Sequence, residues 1–133
     1  MLQKLNTRRG GFTLVEIMIV VAIIALLAAI AVPNFLRARK RSQATRVLED
    51  LRVIDSAIDQ YAIETNKTTG ATVAWTDIKT YLKTGSSLYN SGGADLFGNT
   101  FGAFAVDTLP NVPTTTKTAL SDVATTAFWS PFQ

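Results

Sequence analysis

An uninterrupted apolar run from Phe12 to Val32 constrains this chain more than any other feature, and it contains one charged residue, Glu16. A helix rises about 1.5 Å per residue, so about 21 residues extend roughly 32 Å, enough to cross the hydrocarbon core of a bilayer. The small residues of an ordinary secretory signal follow its apolar region, whereas Gly10-Gly11 precedes this one. The run is therefore predicted to survive cleavage at that pair and to span a membrane.

Basic residues flank the apolar run on both sides, so charge alone does not fix its orientation. Three of the 13 basic side chains lie in residues 1–11, and without them the chain has 10 basic and 10 acidic residues. The net charge of +3 thus comes from the segment before the run, and we expect no nucleic-acid partner. The second group, Arg37 to Arg41, is interpreted as a solvated or intersubunit salt-bridging cluster, with lipid phosphates or DNA as the alternative contact.

A second helical pattern follows Pro33, where the missing N–H and the ring are expected to kink or loosen the helix. Apolar residues recur there at spacings of three and four: Ala44, Val47, Leu48, Leu51, Ile54, Ile58, Tyr61 and Ala62. The spacing predicts an amphipathic helix to about Thr65, with Arg46 and Asp50 as an i,i+4 pair. Both patterns together predict one helix of about 50 residues, half suited to lipid or other helices and half to a sheet.

The remainder of the chain predicts short elements. We expect a helix at 76–84 ended by Gly85, a loop at 86–93, a strand at 100–107, and further strands at 115–120 and 124–129. The aromatic residues predict a small core plus an intersubunit surface: Trp75, Phe97, Phe101, Phe104, Phe128, Trp129 and Phe132. The segment Phe128–Phe132 is expected to tuck beneath the sheet, the alternative being a contact patch for a neighbour.

The stretch Gly10-Gly11-Phe12-Thr13-Leu14-Val15-Glu16, followed by the apolar run, resembles the processing site of type IV prepilins and type II secretion pseudopilins. The resemblance implies that a prepilin peptidase cleaves between Gly11 and Phe12 and methylates the Phe12 amine. It places Glu16 and Pro33 at the family's assembly positions. The implied domains are a leader at 1–11, a transmembrane and assembly helix at 12–33, and a globular domain at 34–133. The implied fold is α+β: the long N-terminal helix packed on a small antiparallel sheet.

Glu16 needs a physical reason, because a carboxylate within a bilayer costs about 3 kcal/mol on insertion scales. Cleavage supplies one, since it creates a cationic amine that Glu16 of an adjacent subunit can neutralise. A plain signal anchor, the alternative, has no need of Gly-Phe, Glu and Pro at these offsets. Ala22, Ala25 and Ala29 form a small-residue face that permits close helix–helix approach. Ala25 stands where many members of the family carry a glycine that helps the helix to melt.

The chain contains no cysteine and no histidine, which excludes disulfides, thiolate nucleophiles and imidazole bases. No catalytic constellation is present in the sequence, so we expect no enzyme. The segment Asp95–Asn99 resembles a turn of major pseudopilins, upstream of the calcium loop found in those proteins. The candidate oxygen ligands, Asp95, Asn99, Asp107 and Asp122, match no compact spacing, so no metal or other cofactor is predicted, and bound calcium is the alternative.

The resemblance implies a structural subunit that polymerises through its apolar helix into a type IV pilus-like or type II secretion pseudopilus filament. Its expected partners are copies of itself, the prepilin peptidase, an inner-membrane assembly platform with its ATPase, and minor pilins or pseudopilins. We expect an inner-membrane, single-pass protein with its globular domain in the periplasm, and a filament in the periplasm or at the cell surface. The turn at Asp95 and the lack of cysteine favour the pseudopilus. The alternative is a membrane-tethered minor pilin-like module that binds DNA or protein without polymerising.

Overall fold

One long helix begins the fold in a computed structural model that describes residues 10–133. This helix, α1, extends from Leu14 to Thr65 and comprises 52 residues, which confirms the predicted long helix and its end. Its backbone is not interrupted at Pro33, and a bend of the axis at that residue stays a prediction. The predicted leader, residues 1–11, lies almost wholly outside the described residues.

The chain divides into two compact units, of which the first ends at Leu36. In this unit every described side chain, from Gly10 to Leu36, is exposed in the single chain. Its part of α1 is long and apolar enough to cross a membrane. Exposed apolar surface of this extent is stable only in lipid or against other protein, because water disfavours it.

The second unit, Arg37–Gln133, has its core on one face of α1. The buried residues of the helix are Ala44, Val47, Leu48, Leu51, Ile54, Ala57 and Ile58. They follow the predicted stripe, with Tyr61 and Ala62 half-buried at its end. The amphipathic half of α1 is thus covered by its own domain, as its spacing predicts.

Short elements cover this face. In chain order they are β1 (Thr72–Val73), α2 (Trp75–Lys79), α3 (Ser87–Ser91), β2 (Phe104–Ala105), α4 (Thr114–Ala119) and a 3₁₀-helix (Thr126–Trp129). β1 pairs antiparallel with β2, placing Thr72 opposite Ala105 and Val73 opposite Phe104. This small antiparallel sheet beside a long helix confirms the α+β class.

Two predicted strands are wrong, since residues 115–120 and 124–129 are mainly helical. Pro113 precedes α4 with a φ of −56°, a value suited to the start of a helix. The Thr118 hydroxyl donates to the Thr114 carbonyl at 3.0 Å, so a threonine counted as β-prone satisfies a helical carbonyl instead.

Three further boundaries differ from the prediction. The expected strand at 100–107 shrinks to Phe104–Ala105, because Gly102 has a φ of +87°, which a strand does not allow. The expected loop at 86–93 contains α3, whose first turn is capped when the Tyr89 N–H donates to the Ser86 hydroxyl at 3.2 Å. The helix expected at 76–84 is α2 and ends at Lys79.

The aromatic segment near residue 130 is part of the core. Trp129 and Phe132 are buried, and Phe128 packs edge-on against Trp129 with ring centroids 5.1 Å apart. The segment therefore tucks inward, as predicted, instead of forming a contact patch. Phe101 and Phe104 are also buried, whereas Phe97 is 39% exposed.

Candidate functional site

The side chains of Thr13 and Glu16 cap the N-terminus of α1. The Thr13 N–H donates to Oε2 of Glu16 at 2.8 Å, and the Glu16 N–H donates to Oγ1 of Thr13 at 3.2 Å. This reciprocal pair is a capping box, in which each side chain satisfies a backbone donor that the helix leaves free. The carboxylate also lies at the positive end of the helix dipole.

The capping box fixes the position of the Glu16 side chain in the single chain, before another protein binds. One of its carboxylate oxygens already accepts a hydrogen bond, which offsets part of the cost of a charge near lipid. This role of Thr13 is not among the sequence predictions, although Thr-x-x-Glu before an apolar run is the local signature of a capping box.

Gly11 and Phe12 lie before α1, and both are exposed in the single chain. A Cβ added at Gly11 would meet no atom within 4 Å. The fold therefore does not require glycine at this position, so a requirement for it would come from outside the chain. Phe12 is 86% exposed in the single chain.

The Asp95–Asn99 segment forms the predicted turn, held by one carboxylate. Oδ1 of Asp95 accepts the N–H groups of Phe97 and Asn99, each at 2.9 Å. The other oxygen, Oδ2, accepts the hydroxyl of Thr116 in α4, and the Asn99 amide donates to the same hydroxyl at 2.9 Å. Asp95 and Thr116 are both buried, so this network joins the turn to α4 inside the domain.

The other two candidate metal ligands have different partners. Asp107 accepts the Thr69 hydroxyl at 2.5 Å. Asp122 accepts from Lys40 Nζ at 2.8 Å, and this contact holds the pKa of Asp122 below its ordinary value. The structure thus brings Asp95 and Asn99 together but gives Asp107 and Asp122 other roles. Within residues 10–133, no three acidic side chains converge in a way that could hold a metal ion.

The basic cluster after the apolar run is partly engaged with its own domain. Besides the Lys40–Asp122 pair, Arg41 donates to the Val123 carbonyl at 2.7 Å and stacks on the Phe128 ring at 4.4 Å. These two cations therefore have partners within their own domain, which the prediction did not include, and an intersubunit contact of the cluster stays a prediction. Arg37 and Arg39 remain exposed.

The N-terminal part of the chain matches a known protein family. Residues 6–32 match the family model of the prokaryotic N-terminal methylation motif. The type IV major fimbrial protein FimA of Dichelobacter nodosus is 38% identical over 92 residues, covering 68% of this chain and 58% of FimA. The N-terminal segment of the chain belongs to the family with the prokaryotic N-terminal methylation motif, and the relatives that the chain matches are type IV pilins and pseudopilins.

Relatives of this pilin-like chain come from both branches of the family. The type IV major pilin PilA of Myxococcus xanthus is 42% identical over 64 residues, which are 48% of this chain and 29% of PilA. The type II secretion system core protein G of Aeromonas hydrophila is 32% identical over 60 residues, 45% of this chain and 42% of that protein. The chain thus matches less than two thirds of the length of each of these relatives. No solved structure matches it.

Proposed function

We propose that this pilin-like chain is a structural subunit of a type IV pilus-like or type II secretion pseudopilus filament. One observation carries the proposal. The carboxylate of Glu16 caps the start of an apolar helical segment, and the side chains of this segment are exposed along its length. A chain that only crossed a membrane could be capped by a neutral glutamine at this position and would not need the charge of the carboxylate. The names of the relatives, major pilins and a secretion core protein, support the same class.

The proposed route begins with cleavage between Gly11 and Phe12 by a prepilin peptidase, which also methylates the Phe12 amine. The new amine is cationic and lies near the capped Glu16 of the same chain and, in a filament, of a neighbour. A neighbour's amine is a stronger partner for the carboxylate than the neutral Thr13 N–H, because it carries a full charge. Assembly is thus an exchange of partners at Glu16, and the apolar segments supply the contact area around it.

The remaining partners follow from the same proposal. The subunit waits in the inner membrane with the Arg37–Gln133 unit in the periplasm, and an assembly platform with its ATPase moves it into the filament. Minor pilins or pseudopilins accompany it. No step requires a catalytic group or a cofactor of this chain. Whether the filament stays in the periplasm or reaches the surface is decided by electron microscopy of sheared cells with subunit-specific antibody.

The test of this function is a pair of measurements on Glu16 variants in the native membrane. Glu16→Ala and Glu16→Gln are expected to leave the ratio of precursor to mature chain near the wild-type value, because Gly11 and Phe12 are untouched. Filament yield after shearing is expected to fall sharply in both, since neither variant neutralises the neighbour's amine. Glu16→Gln keeps an oxygen that can accept the Thr13 N–H, so it separates loss of charge from loss of the cap.

Glu49→Ala serves as the matched control, because Glu49 is an exposed glutamate farther along α1. Filaments at the wild-type level in Glu16→Ala would refute the proposed role of the carboxylate. A mature chain that still begins at Met1 in the intact mass would refute processing between Gly11 and Phe12.

A further inference from the structure

Two acidic side chains on α1 lie close together, and among residues 10–133 neither of them forms an ion pair. Asp55 and Asp59 are four residues apart, a spacing at which side chains of one helix are neighbours and like charges repel. Burial raises the pKa of Asp55, and the negative charge of Asp59 raises it further. In the part of the chain that the structure describes, the two ion pairs are Lys40–Asp122 and Arg46–Asp50. No lysine or arginine there lies within 4 Å of the carboxylate of Asp55 or Asp59.

Arg39, near the start of the Arg37–Gln133 unit, is an exposed cation. Arg39 makes no hydrogen bond or ion pair with any residue from 10 to 133, whereas its neighbours Lys40 and Arg41 bond to Asp122 and Val123. The second unit therefore carries an unpaired cation near its start and an unpaired acidic pair farther along one rigid helix. Each site has the charge that the other lacks.

The periodicity of α1 sets the directions of these charges. At 3.6 residues per turn, residue 57 lies five full turns above Arg39 and points the same way. Asp55 and Asp59 are two residues to either side of 57, so each is rotated by about 160° from Arg39, one clockwise and one anticlockwise. The acidic pair therefore straddles the direction opposite to Arg39, about 27 Å farther along the axis.

We propose that Arg39 of one subunit binds between Asp55 and Asp59 of a second, parallel copy of this chain. This inference rests on the proposed filament function and names the residues that fix the axial offset between two copies. In parallel copies side by side, opposite faces of α1 meet, which is the arrangement that brings Arg39 to the acidic pair. Because the two faces differ, the contact is heterologous and repeats from copy to copy without closing into a dimer. Charge complementarity of this kind fixes register.

Charge reversal in the full-length chain tests the pairing. Arg39→Glu and Asp59→Arg are each expected to reduce filament yield by at least about tenfold, because each places like charges together. The double variant restores opposite charges and is expected to recover yield to within about twofold of wild type. Lys83→Glu is the control, since Lys83 is an exposed cation outside α1. The amount of mature subunit in the membrane checks that each variant folds.

Cysteine crosslinking tests the same contact without relying on yield, and the chain has no cysteine of its own. Residues 39 and 59 are about 30 Å apart on one helix, so Arg39→Cys and Asp59→Cys in the same chain cannot be joined by a short crosslinker. A short bifunctional maleimide is used, because an arginine–aspartate contact allows a wider Cα separation than a disulfide can bridge. Sheared filaments of the double-cysteine variant treated with it are expected to give a ladder of dimers, trimers and longer products. Each single-cysteine variant is expected to give none.

The outcomes separate the pairing from the function on which it rests. Filaments of the double-cysteine variant that give no ladder would overturn the pairing and leave the proposed function standing. A charge-swapped variant no better than the single variants would also overturn it. Absence of filaments in the wild type would overturn the proposed function and the pairing with it.

Discussion

Thr116 illustrates what a single residue contributes to this fold. Its side chain is fully buried, and its hydroxyl donates to Asp95 while it accepts from Asn99. The turn at Asp95–Asn99 could be predicted, because Asp, Gly and Asn have local roles in turns. The partner of the turn could not, because Thr116 is 21 residues from Asp95 and no local spacing connects them.

The first prediction concerns this buried hydroxyl. Thr116→Val keeps the shape of the side chain and removes its donor, so Asp95 loses one of its bonds inside the domain. The expected loss in the free energy of unfolding is about 2 kcal/mol, the usual worth of a bond to a charged group. Urea unfolding of the Arg37–Gln133 unit measures it, with an unchanged m value.

Thr115→Val is the matched control for Thr116, because Thr115 is an exposed threonine in the same helix. Its effect on the free energy of unfolding is expected to stay within about 0.5 kcal/mol. Equal losses in the two variants would show that the hydroxyl of Thr116 has no special role.

At the scale of elements, length and periodicity decided which predictions succeeded. α1 repeats its apolar spacing over many turns, so its course and its end at Thr65 follow from the sequence. The threonine-rich segment after Pro113 is short, and its β propensity stabilises a strand less than the buried hydrogen bond of Thr116 to Asp95 stabilises the helix. The capping box at Thr13 also has a local sequence signature, but it is not among the sequence predictions.

The second prediction concerns the charge of Asp55 on α1. The ordinary pKa of an aspartate is 3.8, and in the folded protein the pKa of Asp55 is raised by burial and by Asp59. Ionisation is thus disfavoured in the folded state, so this group costs stability as the pH rises above 3.8. Asp55→Asn is expected to raise the free energy of unfolding at pH 7 by about 0.3 kcal/mol. The gain is expected to vanish at a pH below 3.8, where both states of the wild type are protonated.

Asp122→Asn gives the opposite sign and serves as the control for Asp55. The bond from Lys40 lowers the pKa of Asp122, so its charge stabilises the folded state above pH 3.8 and loses that effect as the pH falls through the lowered pKa. Thermal unfolding at pH 7 and at pH 3 compares the variants. A lower melting temperature of Asp55→Asn at pH 7 would contradict the assigned repulsion.

At the scale of the whole molecule, the second unit buries its apolar residues in the single chain, and the described part of the first unit does not. The core of Arg37–Gln133 joins α1 to Val73, Phe104 and Trp129, so this unit has its own hydrophobic core. The aromatic segment near residue 130 could be placed in it from composition, because so many large apolar side chains need cover. The apolar side chains of residues 12–36 have no such cover in the single chain.

The last prediction follows from this division. A chain that begins at Arg37 keeps the buried stripe of α1 and its covering elements, and it loses the exposed apolar segment together with Glu16. We expect it to be a soluble monomer in sedimentation equilibrium and to unfold cooperatively, because its apolar residues are already buried within it. The full-length chain, processed in its native membrane, is expected to form filaments under conditions where this fragment does not. The charge pairing of Arg39 with Asp55 and Asp59 is retained in the fragment, but a few surface charges are too weak to hold copies together without the apolar contact. Filaments formed by the fragment alone would contradict this and would place the main assembly surface in the Arg37–Gln133 unit.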